Sequence, residues 1–144
     1  MGENMTNRIL SLVVLGLFLG GMVGMAEPSE REKTALTAAE TWLAFVDEEK
    51  YAKSWQEAAE YFRNAVKQEQ WTSSMQAFRK PLGKLVSRKM KNASYKTSLP
   101  GAPDGEYVII QFETSFANKK DAIETVIAMM DKDGKWRVAG YFIK

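Results

Sequence analysis

The stretch DKDGKWRVAGYFIK, residues 131–144, can be read in two ways that lead to different folds. As an acidic loop, Asp131-Lys132-Asp133-Gly134 would open a calcium site between helices. As a turn, it would join two strands. A calcium loop of the helix–loop–helix kind ends in a bidentate glutamate six residues after its glycine. Six residues after Gly134 stands Gly140, and Lys135 falls where an oxygen ligand is needed. The flanking residues alternate as strands do, and Asp-Gly between two alternating apolar runs is a strong hairpin signal, because both residues tolerate positive φ. The turn reading prevails, and no metal site is expected.

Working outward from this hairpin, residues 106–117 show a period of two. Val108, Ile110, Phe112, Thr114 and Phe116 lie on one side, with Gln111, Glu113 and Ser115 on the other. Residues 118–120 read as a short turn, residues 121–130 as a strand and residues 135–143 as the last strand. Upstream, residues 84–98 mix β-branched, aromatic and basic side chains and read as an irregular first strand, followed by a turn-rich connection over residues 98–107.

Before residue 84 the period is helical. Ser29-Glu30-Arg31-Glu32 reads as a capping box, opening a helix to Asp47 with Leu36, Ala39, Leu43 and Val46 at helical spacing. A second helix carries Tyr51, Trp55, Ala58, Phe62 and Val66. A third carries Trp71, Met75, Phe78 and Leu82 and stops at Pro81-Leu82-Gly83, where proline cannot continue it. The expected fold is one α+β domain over residues 27–144, with three N-terminal helices on a curved four-strand antiparallel meander.

Residues 1–26 read as a cleaved signal peptide: Arg8, an apolar run from Ile9 to Phe18, and small residues at Gly24 and Ala26. The expectation is export to the periplasm or beyond, with no stable membrane anchor after cleavage. The chain has no cysteine and no histidine. That excludes disulfides, thiol nucleophiles, thiolate metal sites and histidine-based acid–base dyads. No glycine-rich phosphate loop occurs, and no cofactor is expected.

The segments AETWLAFVDEEKYAKSWQEA, FRKPLGKLVSRK, SLPGAPDGEYVIIQFETSFANK and DKDGKWRVAGYFIK, in this order, resemble the bacterial domain-of-unknown-function family 4019. The resemblance runs from about Ala39 to Lys144. It implies an exported protein with a nuclear transport factor 2-like, or cystatin-like, fold, in which helices are held in the mouth of a curved sheet. It brings no activity with it, because the fold hosts isomerases, dehydratases and pure binding modules. The chain lacks the extra strand pair that full-length members of that fold insert between their helices.

Enzymes of that fold place an acid–base residue inside the cone, so the carboxylates matter. Glu113 and Glu124 each alternate with apolar neighbours and are expected to face solvent, where a carboxylate is a poor base at neutral pH. No catalytic residue is assigned. Trp42, Trp55, Trp71 and Trp136 come one per major element. They suit either a pocket for a lipidic, aromatic or sugar ligand or the core of each element. Arg88 shares strand parity with Val86 and Met90, and is either an inward cation for an acidic ligand or the partner of Glu124 or Asp47.

Net charge is only +2, yet Arg79, Lys80, Lys84, Arg88, Lys89, Lys91 and Lys96 follow one another without an intervening acid. On a first strand they protect an edge from aggregation or meet an anionic partner. With an export signal, nucleic acid is not the expected partner. The sequence therefore suggests a non-catalytic binding module for a small ligand or an envelope partner, with a homodimer through the open sheet face as one arrangement. The alternatives are a small acid–base enzyme using a carboxylate in the cone and an oligomer-forming accessory protein.

Overall fold

The computed structural model describes residues 27–144. The signal-peptide expectation for residues 1–26 lies outside the described residues. The order of elements is α1 (Glu30–Asp47), α2 (Tyr51–Gln56), α3 (Glu60–Ala65), α4 (Gln68–Phe78), a 3₁₀ turn (Lys80–Leu82), β1 (Leu85–Lys96), β2 (Tyr107–Phe116), β3 (Lys119–Met130) and β4 (Trp136–Ile143). The strands form one open antiparallel sheet in the order β1-β2-β3-β4. This is the expected α+β class.

Helix α1 begins where Ser29 Oγ accepts the Glu32 N–H at 3.2 Å. It ends in a two-bond cap. The Glu49 N–H reaches Val46 O at 3.1 Å and the Lys50 N–H reaches Phe45 O at 2.8 Å, with Glu49 in the left-handed region at φ 60°. This is the Schellman arrangement, usually built on glycine. It fixes Asp47 at the last turn of α1, facing the sheet.

The single helix expected over residues 51–66 is instead two, α2 and α3. The cause is β4, whose outer edge would otherwise lack a partner. The Ala59 N–H leaves the helical ladder and bonds Val138 O at 2.8 Å. One residue later, the Glu60 N–H bonds Asp131 Oδ2 at 3.2 Å, so a side chain from the last hairpin caps α3. In α4, Gln70 Oε1 accepts the Lys67 N–H at the helix start.

Two further expectations are corrected near the start of the sheet. Phe78 does not share the buried face of Trp71 and Met75. Arg79 turns inward in its place and Phe78 is exposed. Val86 does not share the inner parity of Arg88 and Met90, because a register shift between Leu85 and Ser87 turns it out. A second shift lies between Met90 and Asn92, so β1 is irregular, as its composition suggested.

The last hairpin is a turn, but not the two-residue kind. The Asp131 N–H bonds Lys135 O at 2.8 Å and the Gly134 N–H bonds Asp131 O at 2.9 Å. Only Gly134 has positive φ, 81°. A type I turn closed by one left-handed glycine is the three-residue solution. The β2–β3 turn is tighter than expected, and Lys119 already belongs to β3.

The main core lies between the helices and the inner sheet face. Ala35, Ala39, Trp42, Leu43 and Val46 of α1 meet Val108, Ile110, Phe112, Val126, Ala128, Val138 and Tyr141. The outer face carries a smaller cluster of Tyr107, Ile109, Ile127 and Phe142, against which Leu99 and Ala102 of the β1–β2 connection pack. Gly140 permits it. A Cβ there would stand 3.2 Å from Ile127 Cδ1 and 3.5 Å from the Phe142 ring.

Candidate functional site

The chemistry-bearing residues converge where the end of α1 meets the inner face of β1–β3. Arg88 projects from β1 over the intervening strand. Its Nε donates to Glu124 Oε1 at 2.7 Å and its Nη2 to Glu124 Oε2 at 3.1 Å. The opposite edge of the guanidinium serves Asp47, with Nη1 to Oδ2 at 2.7 Å and Nη2 to Oδ1 at 2.9 Å. One planar cation is thus held by two carboxylates, the bidentate geometry at which arginine excels.

Glu124 was expected in solvent and is instead fully buried. Its strand is apolar on both faces, so alternation alone does not fix its phase. The register does, since Glu124 pairs with Phe112, an inner-face residue, and shares parity with Val126 and Ala128. A buried carboxylate requires close compensation. Besides Arg88, Thr114 Oγ1 donates to Oε1 at 2.6 Å and the Tyr141 hydroxyl donates to Oε2. Each oxygen accepts two hydrogen bonds. Glu113, by contrast, is exposed, as expected.

Arg79 completes the cluster and balances its charge. Its Nη2 reaches Asp47 Oδ1 at 3.3 Å, its Nη1 donates to Gly83 O at 2.7 Å, and the guanidinium carbon lies 4.2 Å from the centre of the Phe116 ring. Arg79 Nε and the Tyr51 hydroxyl are buried without a hydrogen-bond partner. Burial works against the charge of Arg88, but the hydrogen bonds and charges of Asp47 and Glu124 outweigh it and hold the proton more firmly than usual. Burial, then the charge of Glu124 and the bond to it, push the Tyr141 hydroxyl well above the ordinary tyrosine range.

A base needs a free lone pair aimed at a proton it can take. Glu124 has none to spare. Asp47 retains some contact with solvent, its side chain being 17% exposed, but both its oxygens are engaged by arginine. The cluster is arranged to hold structure together.

Of the sequence-nominated tryptophans, Trp42 and Trp71 are brought together, with ring centroids 6.1 Å apart. Tyr141 lies edge-on to Trp42 at 5.3 Å, and Phe62 edge-on to Trp71 at 5.0 Å. Their indoles meet at Ser54. Trp42 Nε1 donates to Ser54 O at 2.7 Å, Trp71 Nε1 to Ser54 Oγ at 2.9 Å, and that hydroxyl donates to Tyr51 O at 2.6 Å. Trp55 is half-buried beside this group, its Nε1 on Val66 O at 2.7 Å. Trp136 is buried in the same core from β4. Sequence reasoning missed Ser54, and read Arg79 only as part of the basic run and not as a buried member of the cluster. A serine within an apolar helical face, and an arginine beside the expected core position 78, were the available signals.

The aspartates of the hairpin are engaged within the protein. Asp131 accepts from the Glu60 and Lys132 N–H groups and from Arg137, while Asp133 takes both terminal nitrogens of Arg137. Among the described residues no cluster of three or more carboxylates stands ready for a metal ion, and no helix is long and apolar enough to cross a membrane.

A family model described as "Protein of unknown function (DUF4019)" matches residues 38–141. The chain belongs to this family. The DUF4019 match runs from α1 to β4 and so includes Asp47, Arg79, Arg88 and Glu124. No curated protein and no solved structure matched the chain.

Proposed function

We propose that this DUF4019 protein is an exported, non-catalytic binding module that engages an envelope partner from its outer surface. In this reading residues 1–26 are a signal peptide removed on export, and residues 27–144 form a small cone of the cystatin-like, nuclear transport factor 2-like type. The observation that carries the proposal is the internal engagement of Glu124 and the indoles. Glu124, the inward carboxylate of the sheet, has all its acceptor positions filled by Arg88, Thr114 and Tyr141. The indoles of Trp42, Trp55 and Trp71 are likewise spent on the protein's own backbone and Ser54. Ligand recognition in a pocket depends on polar groups left free to converge on the ligand; here Glu124 and the three indoles are engaged within the protein, and the buried side-chain atoms without a partner among the described residues are Arg79 Nε and the Tyr51 hydroxyl.

Native mass spectrometry of protein extracted gently from its own envelope tests this directly. The expected result is a polypeptide beginning at Glu27 that holds no small molecule in its interior, with any retained envelope component bound at the outer surface. A retained small ligand that disappears on Trp42→Ala would return the function to the interior. A full-length species embedded in the membrane would overturn the export reading.

A further inference from the structure

Among the described residues two large apolar side chains stand mostly in solvent, Phe78 at 73% and Val86 at 67% exposure. Each is turned outward by a separate device. Phe78 has the helical spacing of a core residue after Trp71 and Met75. Arg79 takes the inward place, anchored on Asp47, Gly83 O and the Phe116 ring, and so commits Phe78 to the outside. Val86 is turned out by the register shift between Leu85 and Ser87.

The same end of the molecule gathers cations. Residues 80–84 run along the β2–β3 turn. The Asn118 N–H bonds Leu82 O at 2.8 Å, the Ala117 N–H bonds Lys84 O at 2.9 Å, and Asn118 Nδ2 bonds Pro81 O at 3.0 Å. Gly83 allows this approach. Its φ is 81°, and a Cβ there would stand 3.1 Å from both Ala117 Cβ and Asn118 Nδ2. Lys80, Lys84, Lys119 and Lys120 therefore share one end with Phe78, Val86 and the exposed Pro81. Lys80 has a long contact to Glu49 at 3.7 Å. Lys84, Lys119 and Lys120 form no ion pair with a described residue, and Asp121 is the acid adjoining them.

We infer that this end is a reversible docking surface for an anionic phospholipid bilayer. It rests on the outward-binding reading above and names its surface and partner. Exposed apolar tips that share an end with lysines suit the boundary between headgroups and acyl chains, where the rings and methyls enter and the ammonium groups meet lipid phosphate. A soluble polyanion would call for the lysines but not for Phe78 and Val86. A second copy would bring like charges together.

Vesicle co-sedimentation, using the chain as recovered from its cells, tests the inference. Vesicles containing phosphatidylglycerol should retain the protein and phosphatidylcholine vesicles should not, with retention falling as salt rises. Each lysine near an anionic surface contributes about fivefold in affinity. Lys84→Ser with Lys120→Ser should therefore lower partitioning roughly twenty-five-fold. Phe78→Ser should lower it as well, without changing the melting temperature. Lys132→Ser, in the β3–β4 turn at the other end of the sheet, should leave it unchanged. Equal retention on phosphatidylcholine, or retention unaffected by Phe78→Ser, overturns the bilayer; in the latter case a soluble polyanion becomes the partner. Failure on vesicles together with a partner retained in native mass spectrometry would sink this inference and leave the outward-binding reading standing.

Discussion

Arg88 and Glu124 meet at 2.7 Å although strand β2 separates their own strands in the sheet. The pair exists because the inner parity of β1 and β3 aims both side chains under the end of α1, where Asp47 waits. Breaking a buried pair leaves an uncompensated charge, which costs roughly 3–5 kcal/mol. Glu124→Ala should therefore lower the unfolding free energy by about that amount in urea titrations. Arg88→Met should do the same, since it leaves Glu124 without a cation and Asp47 with Arg79 alone. A loss below about 1 kcal/mol for either would mean that water already screens the cluster.

Acid should loosen the last hairpin. The hydrogen bond to Arg137 brings Asp133 down to about 2. Asp131 is also held below the usual carboxylate range, because N–H donors from Glu60, Lys132 and Arg137 outweigh its burial. A depressed folded-state pKa means that the unfolded chain binds the proton first. The stabilisation is complete above roughly pH 4 and is lost as pH falls toward the folded values. Asp131→Ala should remove part of this acid limb and cost about 1 kcal/mol at neutral pH, as loss of a helix cap does. Asp133→Asn should change stability little, because the side chain is exposed. Melting temperature against pH, measured for the three proteins, checks both claims.

Alkali should act on Tyr141. In the unfolded chain tyrosine ionises near pH 10, whereas the folded protein holds this proton to a much higher pH. Stability is then full below about pH 10 and falls as pH rises beyond it. Tyr141→Phe should make the alkaline fall shallower. At neutral pH it should cost about 1–3 kcal/mol, because Glu124 loses a buried donor. Ultraviolet titration should show this phenol ionising only as the protein unfolds.

The end of α1 offers a stabilising change. Glu49 occupies the left-handed cap position at φ 60°, where an L-residue is disfavoured by roughly 1 kcal/mol or more. Glycine relieves that strain but adds entropy to the unfolded chain. Glu49→Gly should raise stability by up to about 1 kcal/mol in chemical denaturation. A decrease would mean that the contact with Lys80 outweighs backbone strain.

The α+β order and the strands were legible because their signals are local. Ser29 before a helical stripe, alternation in β2 and Gly134 in a turn each act within a few residues. What escaped depends on partners distant in sequence. The split of the second helix follows from β4 offering Val138 O to Ala59, and from Asp131 capping Glu60. The inward turn of Glu124 follows from strand register, and the outward turn of Phe78 from Arg79 finding Asp47. Arg88 was nominated with both its partners as alternatives, and the structure uses both at once.

Substitutions at Ser54 and Trp42 separate a core from a pocket. Its carbonyl receives the Trp42 indole and its hydroxyl the Trp71 indole, and all three residues are buried. If these tryptophans serve the core, Trp42→Ala should cost roughly 3–5 kcal/mol, as large deletions there do. Ser54→Ala should cost about 1–3 kcal/mol by leaving the Trp71 N–H without a partner. The two losses should fall short of adding in the double variant, because Trp42, Ser54 and Trp71 share one network. If the tryptophans instead line a ligand site, the single variants should unfold at nearly the wild-type denaturant concentration, and a molecule retained by the wild type should be missing from both. Urea titration and native mass spectrometry on the same four proteins decide between these outcomes, and the geometry at Ser54 favours the first.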